Sequence, residues 1–196
     1  QARAQHCQDL AARLHAQYQV TEAYRPDAQQ SGARALANAA LGLISRLDGG
    51  AAAQRQFDTA TNMTQQLYAL SCLLQAGKGE DAVARFYDQW RHDRLVIDKW
   101  FMMQVLHAEP AEAAATTERL TRHSDFDMKN PNRFRATLGA LAANPAGFHH
   151  ASGAGYRLLA DWLIRLDPVN PQTTARMCSA FETWKRYDDS RQALVA

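Results

Sequence analysis

The sequence predicts an all-α fold, an irregular superhelix of stacked antiparallel helical pairs of the ARM/HEAT-like solenoid kind. Three observations carry that expectation. Apolar residues recur at i, i+3 or i+4, and i+7 through nearly all of the 196 residues, the period of one helical face. No segment alternates apolar and polar residues as a half-buried strand would. Major helix starts near positions 32, 62, 95, 130 and 170 give roughly 30 to 40 residues per helical pair, the range of solenoid repeats. No linker rich in Gly, Pro or Ser divides the chain, so residues 1–196 read as one helical domain.

Taken in order, Cys7, Leu10, Leu14 and Tyr18 form a stripe on a helix from about Ala2 to Tyr18, broken near Pro26. Ser31 is placed to cap a helix carrying Leu36, Ala40, Leu43 and Leu47, stopped by Gly49-Gly50. A short Ala-rich helix follows to about Phe57. Thr61 or Asn62 caps a helix with Met63, Leu67, Leu70 and Leu74 on one face. Val83, Phe86, Tyr87 and Trp90 mark the fifth helix. The sixth holds Val96, Ile97, Trp100, Phe101 and Met103, a face wide enough to be buried on most sides. Pro110 opens a seventh, ending near His123. Asn130-Pro131, Asn144-Pro145 and Asn170-Pro171 then each read as a helix start. Asn accepts from an orphan N–H of the first turn, and proline suits the first helical position, where no N–H is needed. Phe134, Leu138 and Leu141 form the face of the first of these helices. Tyr156, Leu159, Leu163 and Leu166 form the next long face, and Met177, Phe181 and Trp184 the face of the Asn170 helix. Ser190 to Ala196 reads as a last helix.

Composition excludes more than it identifies. Hydrophobic content of 46% and charged content of 21% are globular values. A net charge of +2, with no basic run, argues against nucleic acid and an anionic membrane as partners. No apolar run approaches the roughly 20 residues of a membrane span. Cys7, Cys72 and Cys178 are odd in number and far apart, which fits free, buried thiols and a cytoplasmic setting. The chain opens at Gln1 without a methionine, and we expect it to be a piece of a longer protein.

Chemistry-bearing motifs are missing. There is no His-Glu-x-x-His, no Gly-x-Ser-x-Gly and no phosphate-binding glycine loop. His107-Ala-Glu109 has the wrong spacing for zinc. His149-His150 are adjacent, so their rings diverge by about 100° on a helix and suit packing or surface roles better than one metal. Trp90, Trp100, Trp162 and Trp184 read as core. One polar stripe stands apart, comprising Gln172, Arg176, Ser179 and Thr183, nearly opposite the Met177 face. Spacing alone gives a solvated back face. The competing reading is a polar cavity wall in which Arg176 offers a fork to a carboxylate or carbonyl. Arg135, at the edge of the Phe134 face, either reaches solvent or points into the same cavity.

Six motifs carry a resemblance. Asn62-Met63-Thr64, Leu95 to Phe101 (LVIDKWF), Asn130 to Arg135 (NPNRFR), Gly153 to Tyr156 (GAGY), Asn170-Pro171-Gln172 and Lys185 to Asp188 (KRYD) occur in order between about Arg34 and Asp188. Together they resemble the C-terminal helical domain of bacterial aminopeptidase N, of the M1 zinc aminopeptidases. The resemblance implies a non-catalytic domain docked over the catalytic and other upstream domains of a longer cytoplasmic chain. That chain would remove N-terminal residues from peptide substrates with one zinc ion. The zinc ligands and catalytic residues would lie upstream, so this segment is expected to hold no catalytic residue, no metal and no cofactor of its own. Its implied role is to close the catalytic chamber and control peptide access. Gln172 and Arg176 match the family's Gln-x-x-x-Arg on the chamber wall, and Arg135 matches a second wall arginine. Thr61 and Gln65 depart from the acidic residues that usually flank Asn-Met-Thr. The alternative from a different class is a free-standing helical-repeat scaffold binding peptide or protein on a concave face.

Overall fold

In the computed structural model, which describes residues 6–196, every regular element is helical. The described chain falls into two compact units, one ending at Phe86 and the other beginning at Tyr87. Residues Ala2 to Gln5 of the predicted first helix lie outside the described residues.

The first unit is built on α1 (Gln8–Gln17), α2 (Ala28–Ser45), α3 (Ala51–Thr59), α4 (Met63–Gln75) and the first turns of α5 (Glu80–Trp90). The long α2 packs against α1, α3 and α4. Small residues on it, Ala37 and Ala40, allow that close approach and are buried with Leu41. Its cap is Asp27 and not Ser31, because the Asp27 carboxylate accepts the Gln30 N–H at 2.8 Å, four residues earlier than expected. The Ser31 hydroxyl instead accepts from Arg34. Arg34 is buried, donates to Gln30 Oε1 and the Arg25 carbonyl, and lies 4.7 Å from the Tyr24 ring centroid, holding the preceding loop against α2.

Of the two caps that the sequence allows for α4, Thr61 and Asn62, it is Asn62 that accepts from Gln65 N, at 3.0 Å. The buried face of α4 is nevertheless rotated. Gln65, Gln66, Ala69, Leu70 and Leu73 are buried, whereas Leu67 and Leu74 are half-buried. Polar pairing accompanies this: Gln56 donates to both Asn38 Oδ1 and the Gln65 carbonyl at 2.9 Å, and the Asn62 amide donates to Gln65 Oε1. Polar groups paired in this way can be buried where an apolar count alone would put them outside.

The second unit holds α6 (Arg94–Leu106), α7 (Ala113–Thr121), α8 (Pro131–Phe134) and α9 (Ala140–Ala142), the last two joined by a π turn at Arg135–Gly139. Then come α10 (Pro145–Phe148), α11 (Ala154–Leu166), α12 (Pro171–Cys178), two 3-10 turns at Ser179–Phe181 and Trp184–Arg186, and α13 (Asp189–Val195). Phe101, Phe134, Leu138, Leu141, Phe148 and Leu159 are its fully buried centre. All three Asn-Pro steps cap helices as predicted. Asn130, Asn144 and Asn170 accept from the N–H groups of Asn132, Gly147 and Thr173 at 3.0 to 3.1 Å. Asn144 does more, since its amide donates to the carbonyls of Val105 and Ala108 and so ties off the end of α6. Gly155 lets α11 start against α10, where a side-chain Cβ would come within 2.8 Å of the Phe148 carbonyl oxygen.

The structure differs from the sequence reading in four places here. The Asn170 helix stops at Cys178, so Thr183 leaves the stripe. Ser179 Oγ donates to the Arg176 carbonyl, a side-chain bond that competes with helix continuation. Phe181 is meanwhile drawn to the Phe148 ring, 5.5 Å away. The Phe134 to Leu141 helix contains the π turn. Of the four tryptophans only Trp100 is buried, whereas Trp90, Trp162 and Trp184 are half-buried. Cys178 is exposed and Cys7 half-buried, leaving only Cys72 as a buried thiol.

Two side-chain clusters fix this unit. Arg133, buried and 4.8 Å from the Phe101 centroid, makes a 2.6 Å ion pair with Asp98 and also donates to the Asp125 carbonyl. Near the end of the chain, His149 Nδ1 lies 2.8 Å from the Tyr156 hydroxyl and its ring stacks on Tyr187 at 4.0 Å. Arg191 donates to the His149 carbonyl and pairs with Asp188, which docks α13 onto this cluster. Burial, and then the nearby Arg191 charge, hold the His149 imidazole below its ordinary pKa.

Candidate functional site

The π turn decides where the site forms. The Thr137 hydroxyl donates to the Arg133 carbonyl at 2.9 Å, giving that carbonyl an acceptor role outside the regular ladder, and the helix widens by one residue over Arg135–Gly139. Arg133 and Phe134 remain buried on one side of the turn, with Thr137, Leu138 and Leu141 on the other. Arg135 is turned outward, and its guanidinium donates to Asn132 Oδ1 at 2.7 Å.

Arg135 and Arg176 come together at an open groove of about 470 Å³. Its floor is small, formed by Gly139, Ala140, Ala142 and Ala143, and its apolar sides are Met102 and Leu106 of α6 with Met177 and Ala180. No acidic residue lines it. Among the described residues the Arg176 guanidinium has no bonding partner, so its planar fork is open to a carbonyl or carboxylate. Gln172 lies one turn before Arg176 on the same exposed face of α12 but does not line the groove. The structure therefore brings together two of the three wall residues read from the sequence. Gly139 and the methionines escaped that reading, because a glycine inside a helix and a methionine on an apolar face carry no signal of a groove until helices are packed.

His149 and His150 are bonded separately, the first to Tyr156 and the second to Ser152. Among the described residues no group of three His, Cys, Asp or Glu side chains is placed to hold a metal ion, so the zinc implied by the resemblance has no ligand set here. No described helix is long and apolar enough to cross a membrane.

Comparison with known proteins gives a consistent answer. A family model described as a domain of unknown function (DUF3458_C) with ARM repeats matches residues 1–196. Aminopeptidase N of Caulobacter vibrioides is 39% identical over 93% of this chain, which spans 22% of that protein. Aminopeptidase N of Escherichia coli is 37% identical over 94% of this chain and 22% of its own length. The crystal structure of Legionella pneumophila aminopeptidase A in complex with aspartic acid aligns with 99% of this chain, at a TM-score of 0.87 and 31% identity, and the chain covers 24% of that structure. The chain thus spans between a fifth and a quarter of the proteins it matches. The predicted resemblance to the helical domain of bacterial aminopeptidase N and the predicted helical-repeat class both agree with these matches. The chain belongs to the DUF3458_C family of ARM-repeat helical domains, a domain that these aminopeptidases carry within much longer chains.

Proposed function

We propose that residues 1–196 are the non-catalytic C-terminal domain of a cytoplasmic, zinc-dependent aminopeptidase of the M1 type. In this reading the parent removes N-terminal amino acids from peptides, and its zinc and catalytic residues lie in upstream domains against which this domain docks. The domain closes the catalytic chamber and limits which peptides enter. Arg135 and Arg176 present guanidinium forks to the peptide beyond the scissile bond, with Gln172 one turn away on the same wall. The observation that carries this is the convergence of the two arginines on one acid-free groove with an apolar floor. A peptide backbone offers carbonyl oxygens and a terminal carboxylate to such forks, and its side chains suit the floor.

The test is Arg176→Ala in the full-length parent. Catalytic efficiency should fall about tenfold or more on peptides of three or more residues, the size of one lost charge-assisted contact. The fall on single-residue reporters, which do not reach past the scissile bond, should be smaller. Equal effects on both classes, or none on either, would return Arg176 to ordinary solvated surface. The isolated chain should bind no stoichiometric zinc and hydrolyse no aminoacyl reporter; zinc-dependent turnover by the pure chain would contradict the assignment.

A further inference from the structure

The groove has a feature that the fold does not require. Gly139 sits at φ −67° and ψ −32°, a backbone conformation open to any L-residue. A Cβ built there would lie 3.7 Å from Arg135 Cβ and 3.9 Å from Met177 Cε, both ordinary contacts. Neither backbone geometry nor packing therefore calls for glycine, and glycine inside a helix weakens it. Its effect is to leave a methyl-sized dip in the groove floor beside Arg135 and Met177. The π turn that ends at Gly139 sets both Arg135 and Gly139 on the groove.

The chemistry around the recess selects its occupant. Met102, Leu106 and Met177 are apolar, and methionine adapts its shape to what it meets. Two cations stand beside it with no acid in the lining, which disfavours a cationic occupant and suits an electron-rich peptide backbone. Resting on the chamber-wall function above, we propose that Gly139 determines side-chain specificity: the recess it leaves takes the apolar side chain of a peptide residue downstream of the scissile bond, while Arg135 and Arg176 hold that residue's backbone. Leaving Gly139 bare keeps the floor low, so that a leucine or phenylalanine side chain of the substrate seats over it in the open groove, where a larger residue at 139 would stand in its way.

The experiment uses the full-length enzyme and a series of tripeptides with one fixed N-terminal residue and Gly, Ala, Leu or Phe at each downstream position. For the unmodified enzyme, kcat/KM for Leu or Phe should exceed that for Gly by about tenfold at one of those positions, as a well-filled apolar site gives. Gly139→Ala should reduce that ratio about threefold and Gly139→Val should abolish it. Gly139→Ala adds only ordinary contacts, so it decides the matter if the valine variant does not fold. An unmodified enzyme with no downstream preference, or a ratio within twofold of the original in a folded Gly139→Ala enzyme, overturns the proposal. Arg176→Ala is measured alongside. If it spares peptides and reporters alike, the chamber-wall reading fails; if it weakens peptides selectively while Gly139 variants keep the ratio, only the recess fails.

Discussion

At the scale of single residues, Arg133 and Asp98 form an ion pair withdrawn from solvent. Arg133 is buried with its side chain only 6% exposed, and Asp98 is 17% exposed. Removing one partner leaves the other charge buried without compensation, which costs about 3 to 5 kcal/mol in comparable buried pairs. Asp98→Ala should therefore destabilise the protein by about 3 kcal/mol, read as a lowered midpoint in urea. A cost near zero would mean that the carbonyls of Asp125 and Arg94, which Arg133 also reaches, suffice alone. Gly139 makes the opposite forecast. With a compatible helical φ and no clash, Gly139→Ala should stabilise the fold by about 0.5 to 1 kcal/mol. A stability gain accompanied by a specificity loss is the signature of a residue kept for function.

At the scale of elements, the Asn-Pro helix starts were legible because a cap is local: donor and acceptor lie two or three residues apart. Their strengths are not equal, however, and tertiary contacts explain why. Asn170 only caps, so Asn170→Ala should cost about 1 kcal/mol. Asn144 caps α10 and also satisfies two carbonyls at the end of α6, 36 and 39 residues away in sequence. Asn144→Ala should cost roughly twice as much, since the buried Val105 carbonyl and the half-buried Ala108 carbonyl both lose the Asn144 amide. Equal losses in denaturation midpoint for the two variants would contradict that account. The π turn illustrates the converse. Phe134, Leu138 and Leu141 all face the core as periodicity predicts, yet periodicity alone could not reveal the extra residue per turn that sends Arg135 to the groove.

At the scale of the whole molecule, stability should depend on pH in the weakly acidic range. His107 and His149 are both held below the ordinary imidazole pKa of 6.5, chiefly by burial. Below pH 6.5 the unfolded chain therefore binds more protons than the folded one, so stability falls as pH is lowered through that value towards the depressed folded values. Above about pH 7 these two groups add no further slope. Tyr156 and Tyr187 pack against His149, and Arg191 with Asp188 are the charged groups beside it. Urea midpoints at pH 5 and pH 7.5 should differ, with the higher at pH 7.5, and His149→Gln should narrow the gap. An equal gap in that variant would remove His149 from the account.

What the sequence determined by itself is what short-range physics controls: the helical class, the order of the helices, their caps at Asn130, Asn144 and Asn170, and the apolar faces of α6 and α11. Six short motifs in register were enough to indicate the family. The tertiary structure decided which polar residues are buried, because Gln56 and Arg133 lie inside with partners far along the chain. It alone ended the Asn170 helix at Cys178, and it alone joined Arg135 to Arg176 across a floor of small residues. A groove is a relation between helices separated in sequence, and its most telling residue is a glycine that contributes no side chain.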